Sequence, residues 1–85
     1  MFFTYILKSK KDGKLYIGCT NDLRRRFREH NLGLVTSTKP RKPFKLVYYE
    51  SYRAKQDAFK REHNLKLRAK ALRQLLNRIE ASLEA

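Results

Sequence analysis

The sequence predicts an α+β domain in which two strands and a helix precede a third strand and a helical tail. Three observations carry this. Two short segments before residue 20 are rich in aromatic and β-branched residues and are separated by Lys10-Lys11-Asp12-Gly13. Phe44–Glu50 has the same character. From Ser51 to Ala85 there is neither Gly nor Pro, and apolar residues recur in steps of three and four.

In Phe2–Ser9, Phe3, Tyr5 and Leu7 alternate against Phe2, Thr4 and Ile6, the period of a strand. Gly13 supplies a turn residue free to take a positive φ. Lys14–Cys19 is a second strand, so a β-hairpin forms and brings Tyr5 and Tyr16 near each other. Thr20-Asn21-Asp22 offers three N-cap residues for a helix over about Leu23–Asn31, with Gly33 as its stop. Leu23, Phe27 and His30 share one face, and Arg26 neighbours His30 at i, i+4. Leu34–Pro43 reads as a loop, and Phe44–Glu50 as the third strand. The helical tail breaks near Leu67–Ala69 into two helices. Its inward stripe runs Ala58, Glu62, Leu65, Ala69, Leu72, Leu76, Ile79. Glu62 is the one carboxylate on that stripe. Such a group must be paired, hydrogen-bonded or metal-bound, so a structural salt bridge and a functional role are both open to it.

The chain has 85 residues, 21 Lys and Arg against 8 Asp and Glu, and a net charge of +13. That length allows one domain, 1–85, and excludes an enzyme with separate cofactor and substrate modules. Ten Phe and Tyr within 41% apolar residues exclude a disordered basic tail. A folded surface this positive attracts polyanions, nucleic acid foremost. The single cysteine, Cys19, can form no intramolecular disulfide, which favours a reducing, cytoplasmic setting. No apolar run reaches membrane-spanning length, and Met1–Leu7 is too short for a signal peptide.

One constellation carries chemistry. Tyr5 and Tyr16 stand on paired strands, Tyr16-Ile17-Gly18 precedes Arg26, His30 follows one turn later, and Glu62 lies in a later helix. In this order, with the Thr20-Asn21-Asp22-Leu23 helix start and the Ala58-to-Glu62 stretch, the chain resembles the GIY-YIG nucleases. The likeness is to their small stand-alone bacterial members and to the nuclease domain of the excinuclease C subunit. It extends over roughly residues 1–77.

The resemblance implies a three-stranded antiparallel sheet flanked by helices, and metal-dependent phosphodiester hydrolysis. It gives Glu62 the metal, most often Mg²⁺ with Mn²⁺ as an alternative. It puts Arg26 at the scissile phosphate, and makes Tyr16 general base or water-orienting group. It adds Tyr5 as first-motif tyrosine and His30 on the active-site face. The chemistry is coherent. One carboxylate suits a cation that keeps its waters, and Arg stays charged and bonds phosphate with two parallel donors. Either Tyr16 or His30 could accept a proton, the tyrosine only if nearby cations lower its pKa.

The first motif departs from the family: Phe3-Thr4-Tyr5 stands where Gly-Ile-Tyr is expected. Asn77, 15 positions after Glu62, is either the family's later asparagine or a solvent-facing residue. Lys14, Arg25, Lys39, Arg41 and Lys42 are candidate nucleic-acid contacts outside the site, and Tyr48, Tyr49 and Tyr52 are either base-stacking or sheet aromatics. The expectation is a metal-dependent endonuclease acting on DNA, in repair or recombination of structured DNA. The alternative is a nucleic-acid-binding module of the same fold with little or no catalysis.

Overall fold

The computed structural model describes residues 1–85. Strands β1 (Phe2–Ser9), β2 (Leu15–Thr20) and β3 (Phe44–Tyr52) form an antiparallel sheet in the order β2-β1-β3. Helices α1 (Leu23–Leu32), α2 (Lys55–Leu67), α3 (Ala69–Arg78) and a short α4 (Glu80–Glu84) flank it, and residues 39–41 make a single 3₁₀ turn. This is the predicted α+β architecture, with strand ends displaced by one or two residues.

The alternation read in β1 divides the core in two. Tyr5 and Leu7 pack with Phe44 under α1, against Leu23 and Phe27. Ile6 packs with Ile17 on the opposite face, against Leu65 of α2 and Leu75 of α3. The Thr4 hydroxyl fastens α2 to that face by donating to the Ala58 carbonyl at 2.7 Å. Between β1 and β3 the register slips: Ile6 faces Tyr48 but Leu7 faces Leu46, leaving Val47 as an extra residue.

The hairpin turn closes on Ser9. Its hydroxyl oxygen accepts from the Lys11 and Asp12 amides at 3.1 and 3.2 Å, and Gly13 takes φ 72°. Of the three possible caps for α1, Asp22 serves, accepting from the Arg25 amide at 3.0 Å. Gly33 ends the helix with φ 77°. The Asn31 side chain then brackets the first residue of β3: Nδ2 donates to the Phe44 carbonyl at 3.1 Å, and Oδ1 accepts from the Phe44 amide at 2.6 Å.

The tail corrects two expectations. It holds three helices rather than two, because the backbone turns again at Ile79. The apolar stripe also does not run through the first break. Arg68 is extended at φ −120° and ψ 99°, which resets the helical phase. Ala69 is therefore exposed, and Leu75 rather than Leu76 is the buried residue of α3. Asn77 faces solvent.

Candidate active site

The hairpin register pairs Leu7 with Tyr16 and Tyr5 with Gly18, so Tyr5 and Tyr16 lie diagonally on the face covered by α1. Their rings are 6.4 Å apart. His30 of α1 completes a triangle, 5.9 Å from the Tyr5 ring and 5.0 Å from that of Tyr16. Gly18 makes this possible, because its missing side chain leaves the space that the Tyr5 phenol occupies.

His30 is fully buried and uses both ring nitrogens. Nε2 lies 2.9 Å from the Tyr5 hydroxyl and Nδ1 2.8 Å from the Thr38 hydroxyl. The Thr38 hydroxyl donates onward to the Val35 carbonyl at 3.4 Å. Its oxygen is therefore the acceptor for Nδ1–H, and Nε2 is left to accept from Tyr5 O–H. This tautomer follows from the hydrogen-bond network. Burial, then the charge of Arg26, pushes the His30 pKa down to about 4, so the ring is neutral near pH 7. Burial and the neighbouring Tyr16 raise the Tyr5 pKa, the Arg26 guanidinium opposes them, and Tyr5 stays protonated.

Arg26 reaches the Tyr5 hydroxyl from α1 while its Nη1 pairs with Glu29 at 3.2 Å. Burial works against its charge, but the hydrogen bonds to Glu29 and Tyr5 outweigh that and raise its pKa. Glu62 approaches from α2. Its side chain is only 17% exposed, and its one ionic partner is Lys66, at 3.1 Å, one turn on. The Lys66 ammonium also sits 6.0 Å from the centre of the Tyr16 ring. The charge of Glu62 is felt at Tyr5 and at the Cys19 thiol, which burial in the first place raises. Tyr5, Tyr16, Arg26 and His30 thus gather at one place, drawn from β1, β2 and α1, and Glu62 of α2 adjoins it through Lys66.

The predicted nucleic-acid contacts do not gather with them as a group. Lys14 is exposed at the hairpin turn. Arg25 faces Glu29 at 3.8 Å. Arg41 is engaged within the fold: Nε donates to Asp12 at 3.0 Å and Nη2 to the Leu15 carbonyl at 3.3 Å. Lys39 and Lys42 are exposed, with their stems beside Gly33. Of the three tyrosines of β3, Tyr48 and Tyr52 donate to Glu50, and Tyr49 is exposed.

The family model described as the GIY-YIG catalytic domain matches residues 1–77. The chain belongs to the GIY-YIG family. UPF0213 proteins of Staphylococcus aureus strains COL and Mu50 are each 43% identical to this GIY-YIG domain over 79 residues, covering 89% of the chain and 95% of theirs. The solution NMR structure of a UPF0213 protein from Bacillus halodurans aligns at a TM-score of 0.56 and 35% identity, over 91% of this chain and 84% of that one. GIY-YIG domains form a nuclease family, and the GIY-YIG fold predicted from sequence, three antiparallel strands flanked by helices, is the one observed. No helix is long and apolar enough to cross a membrane.

The donor set bears on a metal. No three His, Cys, Asp or Glu side chains stand together anywhere in the chain, so no closed multi-ligand cage exists. Glu62 is a lone, half-buried carboxylate with a single ionic partner. That suits a hard cation that takes one protein oxygen and keeps its waters.

Two contributors to this site were not read from the sequence. Thr38 carries only a weak signal, being one of three hydroxyl residues in the loop after His30. Lys66 could have been found, because it lies at i, i+4 from Glu62 on a helix.

Proposed function

We propose that the chain is a metal-dependent endonuclease that hydrolyses phosphodiester bonds in DNA. The observation that carries this reading is the meeting of Tyr5, Tyr16, Arg26 and His30 beside a lone half-buried carboxylate, Glu62, on a chain of net charge +13. Mg²⁺ or Mn²⁺ bound at Glu62 would supply neutralisation of negative charge on the phosphate. Arg26 binds phosphate oxygens with two donors.

Tyr16, rather than His30, is the group that contacts the attacking water. Both nitrogens of His30 are engaged and its ring is fully buried, whereas the Tyr16 hydroxyl makes no hydrogen bond within the protein. Tyr5 and His30 hold the wall of the site, and the Lys66 ammonium sits beside the Tyr16 ring, 6.0 Å from its centre. Water attacks phosphorus, one P–O ester bond breaks, and the products are a phosphomonoester and a free hydroxyl.

Plasmid and short flap or branched DNAs, incubated with and without magnesium, test this. Cleavage should require the metal and fall at least about 100-fold in Glu62→Gln and Arg26→Ala. Undiminished cleavage by Glu62→Gln would overturn the metal assignment. Tight binding with no cleavage at any metal concentration would make the chain a non-catalytic binding module of this fold.

A further inference from the structure

α1 lies across the sheet and separates two different surfaces. At 100° per residue, Arg26 projects from the flank facing β2, Arg24 and Asn31 from the flank facing β3, and Arg28 from the outer side next to Arg24. The contacts agree: Arg26 and His30 meet Tyr5, and Asn31 holds Phe44. On the β3 flank, outside the site already described, lies an open groove of about 530 Å³. Phe3, Phe27, Leu46 and Tyr49 line it, with Arg24 at its rim.

Two properties of this groove stand out. Tyr49 is 53% exposed on a sheet face, held against Phe3 edge-to-face at 6.0 Å. Its hydroxyl makes no hydrogen bond in the protein, unlike those of Tyr48 and Tyr52. Arg24 on its rim and Arg28, one turn further along the outer side of α1, are also unpartnered. Arg24 and Arg28, one turn apart, form neither an ion pair nor a side-chain hydrogen bond, although Arg25 and Arg26 both pair with Glu29. Asp22, which also lines the groove, caps α1 through Oδ1, and Glu29, next to Arg28 in the chain, is taken by Arg25 and Arg26.

We propose that this groove binds an unpaired nucleotide of the nucleic acid, its base stacked on Tyr49 and its phosphates on Arg24 and Arg28. The inference rests on the nuclease reading above and deepens it, by making the substrate class DNA with a single-stranded stretch next to the cut. An aromatic face bordered by free guanidinium groups matches a base and its phosphates. Base pairs stacked inside a duplex cannot enter a groove of this size, so duplex DNA would not use it. Tyr49 pairs with Tyr5, and Tyr5 with Gly18, so the groove and the active site share one row of the sheet. They are two strand spacings apart, about 10 Å, a distance one strand can span around the start of α1.

Binding is measured by fluorescence anisotropy on Glu62→Gln protein, so that cleavage does not interfere, using a labelled oligothymidylate and a blunt duplex. Adding Tyr49→Ala should weaken single-strand binding by about 5- to 100-fold, the range for one lost stack, and change duplex binding less than about twofold. Tyr49→Phe should bind as the parent does. Adding Arg24→Ala with Arg28→Ala should lower the salt dependence of single-strand binding by about 1.4 in the log–log slope. Equal losses on both DNAs, or none on either, with melting temperatures unchanged, would overturn the groove proposal. So would a dimer, seen by sedimentation, that Tyr49→Ala abolishes, since the groove would then belong to a second copy. Failure of the parent to bind either DNA would sink the nuclease reading as well; failure of the groove alone leaves metal-dependent cleavage by the wild-type chain intact.

Discussion

Gly18 packs its backbone against the phenol of Tyr5: a Cβ at residue 18 would lie 2.5 Å from Tyr5 Cζ and 3.0 Å from Tyr16 Cε2. The first is closer than a Cβ can come, the second asks Tyr16 to give by a few tenths of an ångström, and the Tyr5 ring is buried and bonded to His30. Gly18→Ala should therefore displace Tyr5 and break its bond to His30. The expected cost is about 1–3 kcal/mol, as for other overpacked cores, together with loss of cleavage in the fraction that remains folded. Thermal unfolding and a cleavage assay below the transition check both parts. An active Gly18→Ala protein of unchanged melting temperature would refute this account of the glycine.

Thr38 sets the proton position on His30 without facing the solvent. Thr38→Val leaves Nδ1–H buried without an acceptor, which costs about 1–3 kcal/mol, whereas Thr38→Ser keeps the hydroxyl. Urea unfolding should rank Ser well above Val. Nitrogen chemical shifts of His30 should report the Nδ1–H form in the wild type and in the Ser variant, and a changed tautomer balance in Val.

The buried neutral imidazole also makes stability depend on pH. The folded pKa of about 4 lies below the ordinary 6.5, so the unfolded chain binds the extra proton first. Stability is then complete above about pH 6.5 and falls as pH drops toward about 4, with a slope approaching about 1.4 kcal/mol per unit. Below the ordinary carboxylate range a second loss joins it. Burial disfavours the Glu50 carboxylate, but hydrogen bonds from Tyr52 and Tyr48 and the Arg61 charge outweigh that and lower its pKa. Urea midpoints for wild type and His30→Gln across this range should converge as the pH falls.

Glu50 anchors β3 to α2. Arg61 Nε bonds both of its carboxylate oxygens at 3.1 Å, Tyr48 donates at 2.7 Å, and Tyr52 donates as well. Arg61→Ala would strand a half-buried carboxylate and should destabilise by about 2–3 kcal/mol. Glu50→Gln with Arg61→Ala should recover part of that loss, because the stranded charge is gone. Denaturant unfolding of the single and double variants gives the coupling directly.

The sequence made some of this legible and hid the rest for physical reasons. Alternation in Phe2–Ser9 and the turn at Gly13 are local signals, so the hairpin and the meeting of Tyr5 with Tyr16 could be read. Arg26 and His30 share a helix, where spacing alone makes them neighbours. The tail stripe failed at Ala69 because a single extended residue, Arg68, rotates everything after it, and no Gly or Pro marks that break. Thr38 escaped because its partner is set by the path of a loop, not by a period. The Glu50 cluster joins residues 11 apart in different elements, a pairing that only the packing of α2 on β3 creates.

The Asn31 bracket on Phe44 has a consequence for how the chain can be extended. By substituting for a peptide group, the side-chain amide clamps the two mouths of the loop spanning 33–43 together. Length added between them would bulge outward and leave the sheet in place. Thr38 must still point inward, and Arg41 must still meet Asp12, so the tolerant segment narrows to the exposed Thr36 and Ser37. That dipeptide is where a specificity module could be grafted onto so small a GIY-YIG scaffold without dismantling the Tyr5–His30 contact.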